Sequence, residues 1–374
     1  MEIQYRNSKF SDLITHTAWG ISIDLWMFLL WKNKFRVGWR NIPKVFLITG
    51  NAILNTPLQI IEHYRFRTAI KKTKVRNPVF IIGHYRSGTT YLHYLMSKDP
   101  NFAWCSTYQG LTPNTFLTFG RISKAVLRWA MPDTRPQDNM KSGPTLPLEE
   151  EFAMANMSRA SLVHGYYFPS SITESFDAYV IFKDQTLKKI NYWKRSFMRL
   201  VRKLVFSSGG RQLILKSPAN TGRVRELMEL FPNARFIHIH RNPYDVYLST
   251  VNLYEKILPL LGLHRADNAQ MEEFVFYGYE QLCKKFLSDR WLIHPDRLIE
   301  VSYDQLVGSP LETLRQIYDQ FGFDNFESVC ALFEAEVNTA KGFTRNNYKP
   351  IPDDVKERIK ARWGFAFDAF GYPR

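Results

Sequence analysis

Gly83-His84-Tyr85-Arg86-Ser87-Gly88-Thr89-Thr90 has glycines five residues apart followed by two hydroxyl side chains, the frame of a loop whose backbone N–H groups cradle a phosphate. A nucleoside triphosphate site needs Lys directly after the second Gly, to reach the β- and γ-phosphates, and Thr89 stands there instead. The cation is displaced three residues upstream, to Arg86, which would sit at the mouth of the turn beside whatever is attached to the bound phosphate. That position suits charge stabilisation on a leaving phosphate oxygen. A second cluster, Arg241 and Ser249, pairs a forked guanidinium with a hydroxyl donor, both suited to a terminal phosphate. Arg241-Asn242-Pro243 could equally be a structural strand-to-helix turn. The run Glu149-Glu150-Glu151 offers carboxylates for proton abstraction, although the same run would serve as the acidic first turn of a helix. Repulsion would raise at least one of their pKa values if all three shared a buried site. His164 is a reserve base, while His84 lies in the turn and His93 adjoins the stripe Leu92, Leu95, Met96, which suits packing.

These residues need strand ends and helix starts to hold them. Pro78 to Ile82 (PVFII) is a short β-branched run bounded by Pro and Gly, and Leu213 to Leu215, Arg235 to Ile239 and Leu298 to Val301 repeat it. Helical periodicity follows the first three, over Thr89 to Met96, Gly222 to Leu230 and Tyr244 to Leu253. The alternation predicts an α/β fold with a P-loop-like parallel sheet flanked by helices, and ligands of such sheets gather at the carboxyl ends of the strands. An N-terminal helical segment over residues 1–74 is expected to precede a main domain over 75–374. Asp133 to Pro147 (DTRPQDNMKSGPTLP) reads as a polar surface excursion over the site.

GHYRSGTTYLH and RNPYDVYLS together resemble the sulfotransferases that use 3′-phosphoadenosine 5′-phosphosulfate, in particular their bacterial-type branch. The resemblance spans most of the chain. It implies that the backbone of Ser87, Gly88, Thr89 and Thr90 holds the 5′-phosphate and that Arg86, replacing the Lys of cytosolic eukaryotic members, is the leaving-group cation. The spacing of Arg241 and Ser249 is similar to the family's 3′-phosphate motif, which makes the nucleotide a bisphosphate. Tyr303, in Val301-Ser302-Tyr303-Asp304-Gln305-Leu306, matches a strand-end segment usually written Tyr-Glu-Asp-Leu and would lie against the nucleotide or simply fill core. Lys216, in Leu213-Ile214-Leu215-Lys216-Ser217-Pro218, resembles the Lys of the family's Lys-Thr-His segment, but Pro218 stands where cytosolic relatives carry the catalytic His. The base is therefore sought in Pro147-Leu148-Glu149-Glu150-Glu151-Phe152-Ala153, which resembles Pro-Gln-Glu-Asp-Glu-Phe-Ala, with Glu149 first and Glu150 second.

With 374 residues, 45% hydrophobic and 15% aromatic, the chain can bury a sizeable core. Its net charge of +15 favours anionic ligands or surfaces, but the cations are dispersed and form no nucleic-acid module. Cys105, Cys283 and Cys330 are too scattered for a disulfide framework or a zinc site, which suits a reducing, cytoplasmic setting, and no metal role is expected. Ala18 to Trp31 and Ile42 to Ile61 are apolar but interrupted by Asp24, Lys44, Asn51, Asn55, Pro57 and Gln59, so neither reads as a membrane span. No signal-peptide pattern appears. Flanked by Lys32, Lys34, Arg36, Arg40 and Lys44, these segments either pack on the domain or make peripheral contact with a membrane. The expected chemistry is sulfonate transfer to a hydroxyl or amine of a small, lipid-like or carbohydrate acceptor. The alternatives are a P-loop kinase and a non-catalytic bisphosphate-binding protein associated with membrane.

Overall fold

The computed structural model describes residues 1–5, 16–134, 140–340 and 350–374. The chain divides into two compact units, one formed by residues 1–75, 104–210 and 254–272, the other by 76–103, 211–253 and 273–374. The segment expected over 1–74 thus falls in the same unit as 104–210.

The second unit is built on a parallel sheet of five strands: β1 (Val79–Ile82), β2 (Phe102–Ala103), β3 (Gln212–Lys216), β4 (Arg235–His240) and β5 (Leu298–Ser302), in the order β2-β3-β1-β4-β5. All four residues of β1 are fully buried, as a central strand covered on both faces requires. The four strands expected from β-branched runs are present. β2 was not anticipated, because two residues carry no readable period. The helix Thr89–Met96 turns Leu92, Leu95 and Met96 onto Val79, Ile81, Ile214 and Ile237, so helix and sheet close over one apolar core. The expected helix at Gly222 begins instead with a 3₁₀ stretch, Pro218–Arg223, before Val224–Leu230. Register places Ile81 beside Lys216, Ile82 beside His238 and His240 beside Ser302. The carboxyl ends of β1, β3, β4 and β5 therefore deliver the turn at Gly83, Lys216, Arg241 and Tyr303 to one edge of the sheet.

The first unit is helical, including Ile23–Lys32, Ile42–Lys72, Phe116–Ala130, Glu150–Met157 and Leu187–Ser207. A buried ion pair joins two of these helices, with Lys203 Nζ 2.5 Å from Glu62 Oε1 and both side chains almost fully covered. The lysine also donates to the Pro113 carbonyl, and Glu62 Oε2 accepts from the Thr118 N–H at 2.7 Å. Burial pulls the Lys203 pKa down to about 8, against the opposing pull of Glu62. Of the expected excursion Asp133 to Pro147, residues 135–139 lie outside the described residues. Its later part is tied down by Thr107 N–H to Leu146 and Tyr108 N–H to Pro144, each at 2.9 Å.

Candidate active site

The turn after β1 owes its shape to two glycines. Gly83 has φ +138°, and a Cβ there would come 2.2 Å from the Ile239 carbonyl oxygen of β4. Its N–H donates to Thr221 Oγ1 at 2.7 Å, and the Thr221 hydroxyl donates back to the Gly83 carbonyl at 3.1 Å. Gly88, at φ +93°, caps the helix Thr89–Met96 in the left-handed region, where a Cβ would meet the Tyr303 ring at 2.7 Å. The first-turn N–H groups of that helix have no carbonyl partner within the helix and point toward the turn, an arrangement complementary to a phosphate. Between the glycines, Arg86 also has positive φ, +69°, in a region that side-chain-bearing residues seldom occupy. Such backbone is retained where the surroundings hold it.

Those surroundings include the Arg241 and Ser249 pair. Arg241 Nη1 donates to the Arg86 carbonyl at 3.2 Å, and Arg86 Nε donates to Ser249 Oγ at 2.8 Å. The Arg241 guanidinium lies 4.1 Å from the Tyr303 ring centroid and reaches Asp245 Oδ2 at 3.3 Å. Lys216, buried at the end of β3, donates from Nζ to Thr90 Oγ1 at 3.2 Å. His93 stands behind it, and burial, reinforced by the Lys216 charge, holds its pKa well below the usual imidazole value. The structure thus brings Arg86, Arg241, Ser249 and Tyr303 into one hydrogen-bonded and stacked group and pairs Lys216 with Thr90, all within the second unit. Two partners of these elements, Asp245 on Arg241 and Thr221 on Gly83, were not read from the sequence. Asp245 could have been found as an acid four residues after Arg241 on the following helix. Thr221 carried no signal, since its partner Gly83 is 138 residues away.

The carboxylates belong to the first unit. Glu149 is the half-buried N-cap residue of Glu150–Met157, whereas Glu150 and Glu151 occupy its first turn and are buried. Glu151 Oε1 accepts from Ser161 Oγ at 2.8 Å and from the Leu162 N–H at 2.9 Å, which gives it a loop to hold. Glu150 lies near Cys105, whose thiol pKa is pushed well up by burial and, secondarily, by the Glu150 charge. The three side chains therefore have distinct surroundings. His164 is buried with Nε2 at 2.9 Å from the Ala155 carbonyl, and burial lowers its pKa to about 4 although that carbonyl favours the protonated ring. His84 is likewise lowered to about 4, chiefly by burial. Both rings are neutral and weakly basic at neutral pH. Among the described residues no group of three or more His, Cys, Asp or Glu is placed to hold a metal ion.

This arrangement, a glycine turn at the end of β1 joined to an Arg–Ser pair after β4, can be set beside known proteins. The chain is 29% identical to omega-hydroxy-beta-dihydromenaquinone-9 sulfotransferase Stf3 of Mycobacterium bovis over 95% of its own length and 91% of that protein's. The Stf3 sequence of Mycobacterium tuberculosis matches to the same extent. In fold the chain is similar to the crystal structure of sulfotransferase STF1 from Mycobacterium tuberculosis H37Rv, with a TM-score of 0.65 at 16% identity, covering 96% of this chain and 100% of that one. It is also similar to STF9 from Mycobacterium avium, with a TM-score of 0.64 at 17% identity, covering 95% and 97%. Residues 78–328, which hold the glycine turn and the Arg241–Ser249 pair, match the sulfotransferase family. The chain belongs to the sulfotransferase family.

Proposed function

We propose that this transferase moves a sulfonate from 3′-phosphoadenosine 5′-phosphosulfate to a hydroxyl of a lipid-like acceptor. The observation that carries the reading is the direct bonding of two phosphate-type clusters that lie far apart in sequence, through Arg86 to Ser249 and Arg241 to the Arg86 carbonyl. Two anion sites one side chain apart suit the two phosphates of one nucleotide. The glycines let the turn close against Ile239 and Tyr303, and the donors around it are backbone N–H, hydroxyl, ammonium and guanidinium, the set that a bisphosphate requires. Tyr303, stacked on Arg241, supplies an aromatic face for the nucleotide.

In this assignment Ser87 to Thr90 hold the 5′-phosphate, while Arg241 and Ser249 hold the 3′-phosphate. Lys216 and Arg86 stabilise the negative charge that builds on the leaving phosphate oxygen as the sulfur–oxygen bond to it breaks. Glu149 takes the acceptor's proton as the acceptor oxygen bonds to sulfur, and adenosine 3′,5′-bisphosphate leaves. Half-burial favours Glu149 over the buried Glu150, since a base must reach a proton that arrives with a substrate. The acceptor class follows from the similarity over 95% of the chain to a protein named for sulfation of an omega-hydroxy menaquinone derivative, a long apolar chain ending in a hydroxyl.

Calorimetric titration of adenosine 3′,5′-bisphosphate and of ATP, each with and without Mg²⁺, tests the donor half. Tight binding of the bisphosphate without metal is the expected result. Preference for ATP with Mg²⁺ would move the chain to phosphoryl transfer. The acceptor half is tested by transfer of labelled sulfonate to polyprenyl or quinone alcohols, against sugars of equal hydroxyl content.

A further inference from the structure

The helix Ile42–Lys72 carries polar groups on its inward face beside Ile48, Ala52 and Ile70: Lys44, fully buried, donates to the Leu260 carbonyl at 2.8 Å, Asn55 to the Trp19 carbonyl at 2.7 Å and Gln59 to the Gly20 carbonyl at 3.1 Å. Lys44, named above among the cations flanking the apolar segments, is thus an interior group. The outward face is apolar, with Phe46 71% exposed, Leu54 70%, Ile61 52% and Tyr64 65%. Phe46, Gly50, Ile53 and Leu54, Pro57, Ile61 and Tyr64 recur at helical spacing, so they form one stripe along the helix. No charged residue occurs from Phe46 to Ile61, a run of about 22 Å at 1.5 Å per residue. A soluble helix normally shows the reverse arrangement.

Charge brackets the stripe. Lys34, Arg36 and Arg40 are exposed before it, and Arg65, Arg67 and Lys71 after it. Glu62 is the only acidic residue between Asp24 and Asp99, and it is buried against Lys203. Two of the cations lie over exposed rings, Arg40 at 5.0 Å from Trp39 and Arg67 at 5.3 Å from Tyr64. The helix Phe116–Ala130, whose first turn is bonded to Glu62 through Thr118, repeats the pattern. Ile122, Val126 and Trp129 are exposed there among Arg121, Lys124 and Arg128.

We propose that this face docks on an anionic lipid bilayer, with the stripe in the headgroup and acyl boundary and the cations on lipid phosphates. None of the described helices is long and apolar enough to cross a membrane, so the helix would lie along the surface. A second copy of the chain fits less well. A two-fold interface on this stripe would place the cations of one protomer against those of the other with no acid to offset them. The inference rests on this surface alone and does not depend on the nucleotide chemistry.

The test is co-sedimentation of the full chain with vesicles of phosphatidylcholine alone and of phosphatidylcholine with phosphatidylglycerol, at low and high salt. Expected are binding to the anionic vesicles, weakening with salt, and at least about tenfold less binding by Phe46→Glu/Leu54→Glu. A far-ultraviolet circular dichroism spectrum and urea midpoint matching wild type show that the variant is folded, and Leu54→Ser is the gentler second variant if it is not. Absence of vesicle binding overturns the proposal, as does equal binding by wild type and variants. A wild-type dimer that the double substitution dissociates also overturns it and makes the face a subunit interface.

Discussion

Replacing Arg241 by Ala is the sharpest probe of the nucleotide assignment, because its consequences can be worked from its contacts. The side chain is largely covered, with Nη1 on the Arg86 carbonyl and its plane on Tyr303. Its ion pair with Asp245 is long, at 3.3 Å, and Asp245 is half exposed, so that pair contributes no more than about 1 kcal/mol to stability. The Arg86 carbonyl bond and the Tyr303 stacking add about 1–2 kcal/mol, so the Tm of the variant should fall by only a few degrees. Against a phosphate the same guanidinium makes charged hydrogen bonds worth about 1.5–3 kcal/mol, and losing them weakens binding roughly 10- to 150-fold. Asp245, left beside the phosphate without its cation, pushes the loss toward the upper end. The decisive assay is calorimetry on wild type and variant with adenosine 3′,5′-bisphosphate and with adenosine 5′-monophosphate, which lacks the 3′-phosphate. The two ligands and two proteins form a cycle whose coupling isolates the contact. If Arg241 reads the 3′-phosphate, the loss appears with the bisphosphate and disappears with the monophosphate. An equal loss with both ligands would refute the reasoning, because Arg241 would then act only by holding Arg86.

Glu149→Gln should lower kcat by about 10²- to 10⁴-fold with bisphosphate affinity intact. Glu151→Leu should instead lower the unfolding free energy in urea by about 1–3 kcal/mol, because it removes the acceptor of two buried hydrogen bonds; a near-normal rate for Glu149→Gln would exclude that residue as the base. Gly88→Ala forces a Cβ to 2.7 Å from Tyr303 at a left-handed φ, and should cost about 1–3 kcal/mol in thermal unfolding while weakening bisphosphate binding. The folded state keeps His84 and His164 neutral down to pH about 4, whereas the unfolded chain protonates them near 6.5. Between those values the unfolded state binds more protons, so stability rises with pH and is lost on acidification, by about 1.4 kcal/mol per pH unit for each group. Urea midpoints between pH 7 and 5 measure the slope. His164→Gln, which keeps an N–H donor for Ala155, should flatten it by one group's share; an unchanged slope would mean that His164 is already protonated in the folded protein.

Much of this protein is legible in local sequence, and the reason is that parallel strands and the turns after them are local devices. The runs at 79–82, 213–215, 235–239 and 298–301 are short, β-branched and bounded by turn residues, so each announces a buried strand. The glycines of the turn after β1 are legible for the same reason: a φ of +93° or +138° is a property of one residue. Pairing was not legible. That Thr221 locks Gly83, that Arg86 bonds Ser249 across 163 positions and that Lys216 finds Thr90 depend on strand order and register, which no single segment encodes. The three glutamates read alike as a run, and only their surroundings set them apart, one half-buried at a cap, one beside Cys105 and one holding a loop. Likewise the helix Ile42–Lys72 showed its mixture of polar and apolar residues in the sequence, but which face looks inward was decided by carbonyls that Trp19, Gly20 and Leu260 present to it. Residue types and backbone shapes are local properties; partners and exposure belong to the assembled fold, where a polar side chain goes to whichever buried carbonyl would otherwise be left without a donor.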